Sequence, residues 1–69
     1  MAPVVVHAPD SRGGRQVVAR GRILGVAYNV MDVLDLLETV GLDRADVRLD
    51  DAGLIDWRGG GAYEWNPSG

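Results

Sequence analysis

The chain has no cysteine, no phenylalanine and no lysine, and it has one histidine. Without cysteine, disulfide bonds and thiolate metal sites are excluded. A chain of 69 residues buries only about 60% of the surface that it exposes when unfolded, so its stability is expected to be marginal. Small domains usually add disulfides, a metal ion or an oligomeric partner to so thin a core. Because disulfides are excluded, self-association or partner binding is favoured as an additional source of stability.

Long hydrophobic runs are also lacking. No stretch approaches the roughly 18 apolar residues of a membrane-spanning helix, and residues 1–7 lack the basic flank and the length of a signal peptide. The apolar content of 46% and the charged content of 25% are ordinary for a globular domain and unlike a disordered chain. We therefore expect one folded cytoplasmic domain that has no membrane segment.

Arginine supplies all seven basic side chains. Codon usage in a GC-rich genome explains this bias, and selection for the fork-shaped guanidinium donor is the second explanation. Because phenylalanine is absent, only four residues carry large rings: Tyr28, Trp57, Tyr63 and Trp65. Each ring is expected to contribute strongly to the packing of the core or to a contact surface.

Hydrophobic periodicity and turn residues predict the secondary structure. Strands are predicted at residues 4–8, 15–20, 22–28 and 54–58, and residues 47–49 are a further candidate. An amphipathic helix is predicted at residues 30–40, between Asn29 as N-cap and Gly41 as C-cap. This order, ββ(β)αβ, predicts a small α+β fold in which one helix packs on one face of a mainly antiparallel sheet of three or four strands. We assign residues 1–58 to this domain and residues 59–69 to a glycine-rich aromatic tail.

Alternation within strands assigns side chains to the core. In the third predicted strand the bulkier alternating set is Leu24, Val26 and Tyr28, so we expect this set to face inward. Gly25, at the centre of that strand, favours a β-bulge over the alternative of a close neighbour. In the last strand the same alternation directs Trp57 inward.

Both tryptophans flank one triple glycine, Gly59 to Gly61. Three consecutive glycines are either mobile or held in a backbone path that a Cβ would block. A phosphate-binding loop is excluded, because no Gly-Lys-Ser/Thr sequence and no helix follow. The triple glycine is therefore predicted to be the exit from the folded domain. Trp65 either folds back to cap the sheet or stays exposed for a partner.

No group of residues has the pattern of a catalytic, cofactor-binding or metal-binding site. His7 is the only histidine, whereas a metal site needs three or four converging ligands and a catalytic base needs a nucleophile within reach. Asp32, Asp35 and Glu38 form an acidic stripe on the outside of the predicted helix, where there is no cleft for acid–base chemistry. We interpret the stripe as a solvated face that, if functional, would dock a basic partner. We expect no enzyme activity, no cofactor and no small-molecule substrate.

A non-enzymatic interaction module or accessory factor is the function that these observations favour. Such a module would bind a protein partner, or a second copy of itself, by strand addition at an exposed sheet edge. Tyr63 and Trp65 would serve as aromatic anchors, and the exposed thioether of Met31 is a further candidate contact. A homodimer through the same edge is the simplest version.

A nucleic-acid-binding regulator is the alternative. Arg12, Arg15, Arg20 and Arg22 are close in sequence and would cluster in space on a hairpin, where arginine can contact phosphates. Residues 1–28 carry a net charge of +3 and residues 29–69 a net charge of −6. Two observations argue against this alternative. The whole chain is acidic, with a net charge of −3, and no aromatic residue for base stacking lies among these arginines.

Four segments also carry a resemblance. They are His7-Ala8-Pro9-Asp10, Gly13-Gly14, Arg20-Gly21-Arg22-Ile23-Leu24-Gly25 before the helix, and Leu54-Ile55-Asp56-Trp57-Arg58-Gly59-Gly60-Gly61. Together, over nearly the whole chain, they resemble a group of small uncharacterised proteins of GC-rich actinobacteria. The resemblance implies no activity and supplies no site residues.

Overall fold

A computed structural model describes residues 2–65 and shows a four-stranded sheet with one helix. The elements are β1 (Val4–Val6), β2 (Arg15–Ala19), β3 (Arg22–Ala27), α1 (Val30–Glu38) and β4 (Ile55–Trp57). Their spatial order in the sheet is β3-β2-β1-β4. The pairs β1–β2 and β2–β3 are antiparallel, and β4 runs parallel to β1. The predicted small α+β fold and its element order are confirmed.

A β-bulge in β3 decides which of its side chains face the core. Val17 pairs with Gly25, but the next residue of β2 pairs with Ile23, so Leu24 is the extra residue. The predicted bulge is therefore confirmed. It shifts the alternation by one residue, so Ala27 is buried while Val26 is 48% exposed.

The expectation that Leu24, Val26 and Tyr28 all face inward is wrong for two of the three. Tyr28 is 53% exposed, like Val26, and only Leu24 packs against the core. Gly25 has a φ of +154°, and a Cβ added there would lie 3.2 Å from a methyl group of Leu36. The glycine thus permits both the bulge and the close approach of the helix.

The helix begins and ends where capping chemistry predicts. The side chain of Asn29 accepts a hydrogen bond from the N–H of Asp32 at 2.9 Å. At the other end Gly41 has a φ of +89°, and the N–H of Leu42 donates to the carbonyl of Leu37 at 3.1 Å. This pattern closes the helix by a glycine-dependent turn, two residues earlier than the predicted end at residue 40.

The acidic stripe on the outside of α1 has a basic partner within the chain. Arg44 forms salt bridges to Asp35 and to Glu38, the second at 2.9 Å. The hydrogen bond from Arg44 lowers the pKa of Glu38. These side chains are solvent-exposed, so the network is expected to contribute little to stability.

The core lies between α1, the inner face of the sheet and the segment 42–54. Eight hydrophobic side chains are fully buried there: Val4, Val6, Val17, Ala19, Ala27, Val33, Leu37 and Ile55. The candidate strand at residues 47–49 does not form, because this segment crosses over the core as turns. Val47 and Leu49 pack against the core from that segment. Within the described residues, no helix covers the opposite, outer face of the sheet.

Candidate functional site

Arg15 is the one charged residue among residues 2–65 that is completely buried, with 0% of its surface exposed. The alternation of β2 places Arg15, Val17 and Ala19 on the inner face of the sheet. The two apolar residues enter the core, and the arginine lies at the end of the strand. From there its side chain extends beneath the ends of β1 and β4.

All five N–H groups of the Arg15 guanidinium donate to backbone carbonyls. Nε donates to His7 at 2.8 Å, Nη1 donates to Gly61 at 2.6 Å and to Glu64 at 2.8 Å, and Nη2 donates to Arg58 at 3.0 Å and to Gly60 at 2.9 Å. A guanidinium has five N–H donors and no acceptor, so its hydrogen-bonding capacity is filled. The segment that contains the triple glycine supplies four of these five carbonyls.

Two tryptophan rings enclose the same guanidinium. The central carbon of the Arg15 guanidinium lies 5.2 Å from the ring centroid of Trp57 and 5.2 Å from that of Trp65. The rings contact each other edge to face, at 84° and 6.5 Å between centroids. Each indole N–H is satisfied: Trp57 donates to Leu49 at 2.9 Å and Trp65 to Ala62 at 2.8 Å. We call Arg15, the two tryptophans and the five carbonyls the arginine cage.

The charge of Arg15 is stabilised without a hydrogen-bonded carboxylate. Burial lowers the pKa of Arg15, and the negative charge of Glu64 partly opposes this by raising it. Arginine remains protonated in proteins, so the cage holds a cation. Carbonyl dipoles and the negative faces of two aromatic rings replace the water that burial removed.

Two residues of the triple glycine, Gly59 and Gly60, are needed for the path of the backbone around Arg15. Gly59 and Gly60 have φ values of +74° and +137°, where other residues are strained. A Cβ on Gly59 would overlap the Cβ of Ala8. Gly13, in the turn between β1 and β2, lies so close to the carbonyl oxygen of Trp65 that an added Cβ would be 2.6 Å from it. The glycines therefore let three pieces of chain meet around one side chain.

Residues 59–65, which the sequence assigns to a tail, pack onto the sheet through the arginine cage. Trp65 is half-buried there, so of its two predicted positions the structure shows the one that returns to the core. In this arrangement Trp65 is not available as a partner anchor. Tyr63 is 81% exposed and Met31 is 56% exposed. The rest of the predicted tail, residues 66–69, lies outside the described residues.

The four arginines of the predicted nucleic-acid surface do not lie together. Arg15 is buried, so it cannot contact a phosphate in this conformation. Arg12 lies in the turn before β2, while Arg20 and Arg22 lie beyond its other end. A five-residue strand separates the two ends by about 17 Å. The expectation of one spatial cluster is wrong, because β2 carries these arginines to two ends of the sheet and to its interior.

The outer face of the sheet carries an apolar row that the sequence analysis did not identify. Val5 pairs with Val18, and Val18 with Ile23, so their side chains lie side by side across three strands. Ile23 is 66% exposed, and Val26 follows it on the same face of β3. The signal was present in the uninterrupted valines of β1, since a strand that is apolar on both faces lacks a solvated side.

His7 takes part in the site through its backbone, since its carbonyl accepts from Nε of Arg15. No set of three or more histidine, aspartate or glutamate side chains converges within residues 2–65 in a way that could hold a metal ion. In the same part of the chain no helix is long and apolar enough to cross a membrane.

Comparison with protein-family models, with curated proteins and with solved structures gives no match. The resemblance to the small actinobacterial proteins stays a prediction. The function is therefore inferred from the geometry of the described residues.

Proposed function

We propose that this chain is a non-enzymatic interaction module that self-associates through the outer face of its sheet. The observation that carries the proposal is the apolar row of Val5, Val18 and Ile23, extended by Val26 along β3. We call these four residues the outer apolar face. In an antiparallel sheet with one solvated side, polar side chains are expected at such positions.

The outer face of the sheet is preferred to its edge because of the bulge in β3. β3 is an edge strand of six residues, and its regular pairing is interrupted at Leu24. Bulges at an edge disfavour the addition of a further strand. The same bulge places the side chains of Ile23 and Val26 together on the outer face, with exposed fractions of 66% and 48%.

A second copy of the chain is the occupant that fits best. An apolar patch without a net charge pattern is self-complementary under a two-fold axis. On the β4 side of the same face, Asp56 and Arg58 already neutralise each other through a 3.0 Å salt bridge. Burial of the outer apolar face would also add to a core of eight fully buried hydrophobic residues.

The size of the face limits the strength of the dimer. The four strands have three, five, six and three residues, and at about 3.4 Å per residue and 4.8 Å between strands they present roughly 280 Å² per copy. This is about a third of the roughly 800 Å² per partner in a standard stable interface. We therefore expect a weak dimer, with a dissociation constant in the micromolar range or above.

Sedimentation velocity over a concentration series tests the proposal. The unsubstituted chain is expected to pass from monomer to dimer as its concentration rises. Ile23→Glu places a charge in the outer apolar face and is expected to keep the chain monomeric. Because Ile23 is largely exposed, the substitution should leave the fold intact, which circular dichroism checks. Tyr63→Glu is the matched control, since Tyr63 is exposed outside the outer apolar face.

Three outcomes would contradict the proposal. The first is an unsubstituted chain that stays monomeric at millimolar concentration. The second is a dimer that stays intact in Ile23→Glu but dissociates in Tyr63→Glu or Met31→Glu. That result would place the contact at the residues predicted from the sequence. The third is tight retention on a DNA column that is lost in Arg12→Gln, Arg20→Gln and Arg22→Gln combined, which would favour the nucleic-acid regulator.

A further inference from the structure

A cavity of about 250 Å³ lies at the end of the sheet opposite to the arginine cage. It opens between the first residues of β1, the last residues of β2 and the segment that leaves α1. Six apolar residues line it: Pro3, Val4, Ala19, Val40, Leu42 and Leu54. Val40, in this lining, is 47% exposed.

The volume of the cavity sets the size of its ligand. An apolar protein cavity of about 150 Å³ holds benzene, which has six carbon atoms. By proportion, 250 Å³ accommodates about ten non-hydrogen atoms. A short aliphatic chain fits this volume and the six apolar residues of the lining.

Two arginines complete the lining of the cavity. Arg20 and Arg22 are both exposed, and neither forms a salt bridge within residues 2–65. By contrast, Arg44, Arg48 and Arg58 each lie within 4.0 Å of a carboxylate. No acidic side chain lines the cavity. Two free guanidinium groups beside an apolar cavity match a ligand with an anionic head and an apolar tail.

Arg20 occupies a position that arginine rarely takes. It has a φ of +51° and Gly21 has a φ of +81°, so the two form the tight turn between β2 and β3. Such turns favour asparagine, aspartate or glycine at the first position. The N–H of Arg20 donates to the carbonyl of Pro3 at 2.7 Å, which fixes the turn beside the cavity. An arginine at a strained position is consistent with a role for its side chain.

We propose that this cavity binds a straight-chain aliphatic carboxylate of about eight to ten carbons. The chain lies among the six apolar residues, and the carboxylate pairs with Arg20 and Arg22. A guanidinium suits a carboxylate because its parallel N–H groups match both oxygens. None of the four residues of the outer apolar face lines this cavity, although Arg20 also lines a second cavity beside Val5 and Val18.

Titration with octanoate, followed by amide chemical shifts in NMR, tests the proposal. Saturable shifts are expected at Ala19, Val40, Leu42 and Leu54, with a dissociation constant on the order of 1 mM or below. Octan-1-ol keeps the chain without the charge and is expected to bind at least about 10-fold more weakly. Acetate keeps the charge without the chain and is expected to cause no saturable shift.

Variants locate the ligand within the cavity. Arg22→Gln is expected to weaken octanoate binding about 10-fold, because a charged hydrogen bond is lost. Arg12→Gln is the matched control, since Arg12 is exposed at the far end of β2, and it should leave binding unchanged. Val40→Trp fills the cavity from an exposed position and is expected to abolish binding while the fold is retained. Ile23→Gln, which adds no charge beside Arg22, should weaken the dimer and leave octanoate binding unchanged.

Several results would overturn this proposal. One is the absence of saturable shifts with octanoate at millimolar concentration in a folded protein. Another is equal binding of octanoate and octan-1-ol, since the arginines would then have no part in it. A third is binding of a peptide with an apolar C-terminal residue and a free carboxylate where octanoate fails, which would make a protein terminus the ligand.

Discussion

Arg15 and Arg20 stand at the two ends of the same strand, five positions apart, and their surroundings are opposite. Arg15 is fully buried, and each of its five N–H groups meets a backbone carbonyl. Arg20 is exposed, its backbone has a positive φ, and its side chain forms no salt bridge within the described part of the chain. One residue type therefore has two roles in one small sheet.

The difference follows from what the chain places around each side chain. Around Arg15, the ends of β1 and β4 and the triple glycine converge and present five carbonyls, of which Gly61 also accepts from the N–H of Glu64. A buried cation is stable when its hydrogen bonds are complete, and here it joins three segments of the chain. Around Arg20 there is a turn, an apolar cavity and no carboxylate. The first arginine is structural, and we propose that the second binds a ligand.

The substitution Arg15→Met tests this contrast with the largest expected effect. It preserves apolar volume but leaves four carbonyls without donors, since Gly61 still accepts from the N–H of Glu64, so we expect a loss of about 3–5 kcal/mol in the free energy of unfolding. A chain of 69 residues has a total of only about 3–10 kcal/mol, so much of the population should unfold. Urea denaturation followed by circular dichroism measures the change. Unchanged stability would show that the arginine cage contributes nothing to the fold.

Arg15→Lys and Arg12→Met sharpen the same contrast. Lysine keeps the charge but has three donors and no planar fork, so it should destabilise the protein, though less than methionine does. Arg12 is exposed in the turn before β2, and its replacement should change the free energy of unfolding by less than about 0.5 kcal/mol.

Trp65→Ala removes one wall of the arginine cage and has the next largest expected effect. The loss combines packing with the cation–π contact and should be about 3 kcal/mol in the free energy of unfolding. The other tryptophan then reports on the cage, because the fluorescence of Trp57 should shift to longer wavelength as water enters. A variant as stable as the parent chain, with Trp57 emission unchanged, would mean that residues 59–65 do not close over Arg15.

A comparison of Gly59→Ala with Gly61→Ala tests the backbone path of the triple glycine. A methyl group on Gly59 would overlap Ala8 and occupy a left-handed conformation, so we expect a loss of about 2 kcal/mol. Gly61 has open space, with the nearest atom 3.9 Å from an added Cβ, and alanine there should be neutral or stabilise by up to about 1 kcal/mol. Thermal denaturation compares the two. Equal effects would indicate a mobile glycine segment without a fixed path.

Arg20→Asn is expected to have a smaller effect than the variants of the arginine cage, and its sign is opposite to theirs. Asparagine tolerates a positive φ better than arginine does, so the variant should be more stable by about 0.5–1 kcal/mol. The same variant should bind octanoate less tightly. A melting temperature that falls would argue that the Arg20 side chain supports the fold rather than a ligand.

Local signals in the sequence predicted the local structure. Asn29 and Gly41 cap the helix as predicted, and Gly25 marks the bulge in β3. The exposure of Val26 and Tyr28 was missed because a bulge reverses the alternation from which their burial was inferred.

The arginine cage depends on contacts between distant parts of the chain. Nη1 and Nη2 of Arg15 donate to carbonyls of the triple glycine segment that lie 43 to 49 residues away in the sequence. The alternation of β2 puts Arg15 on the same face as Val17 and Ala19. Alternation alone does not separate a buried arginine at the end of a strand from a solvated one, so Arg15 was grouped with three exposed neighbours.

The guanidinium N–H signals of Arg15 in NMR test the central claim most directly. If the arginine cage is closed in solution, the four Nη protons should exchange slowly with water and give separate signals. The ring currents of the two indoles should change the chemical shifts of these signals. The corresponding protons of Arg12 should exchange fast. A single averaged, rapidly exchanging Nη signal for Arg15, like that of Arg12, would contradict the account.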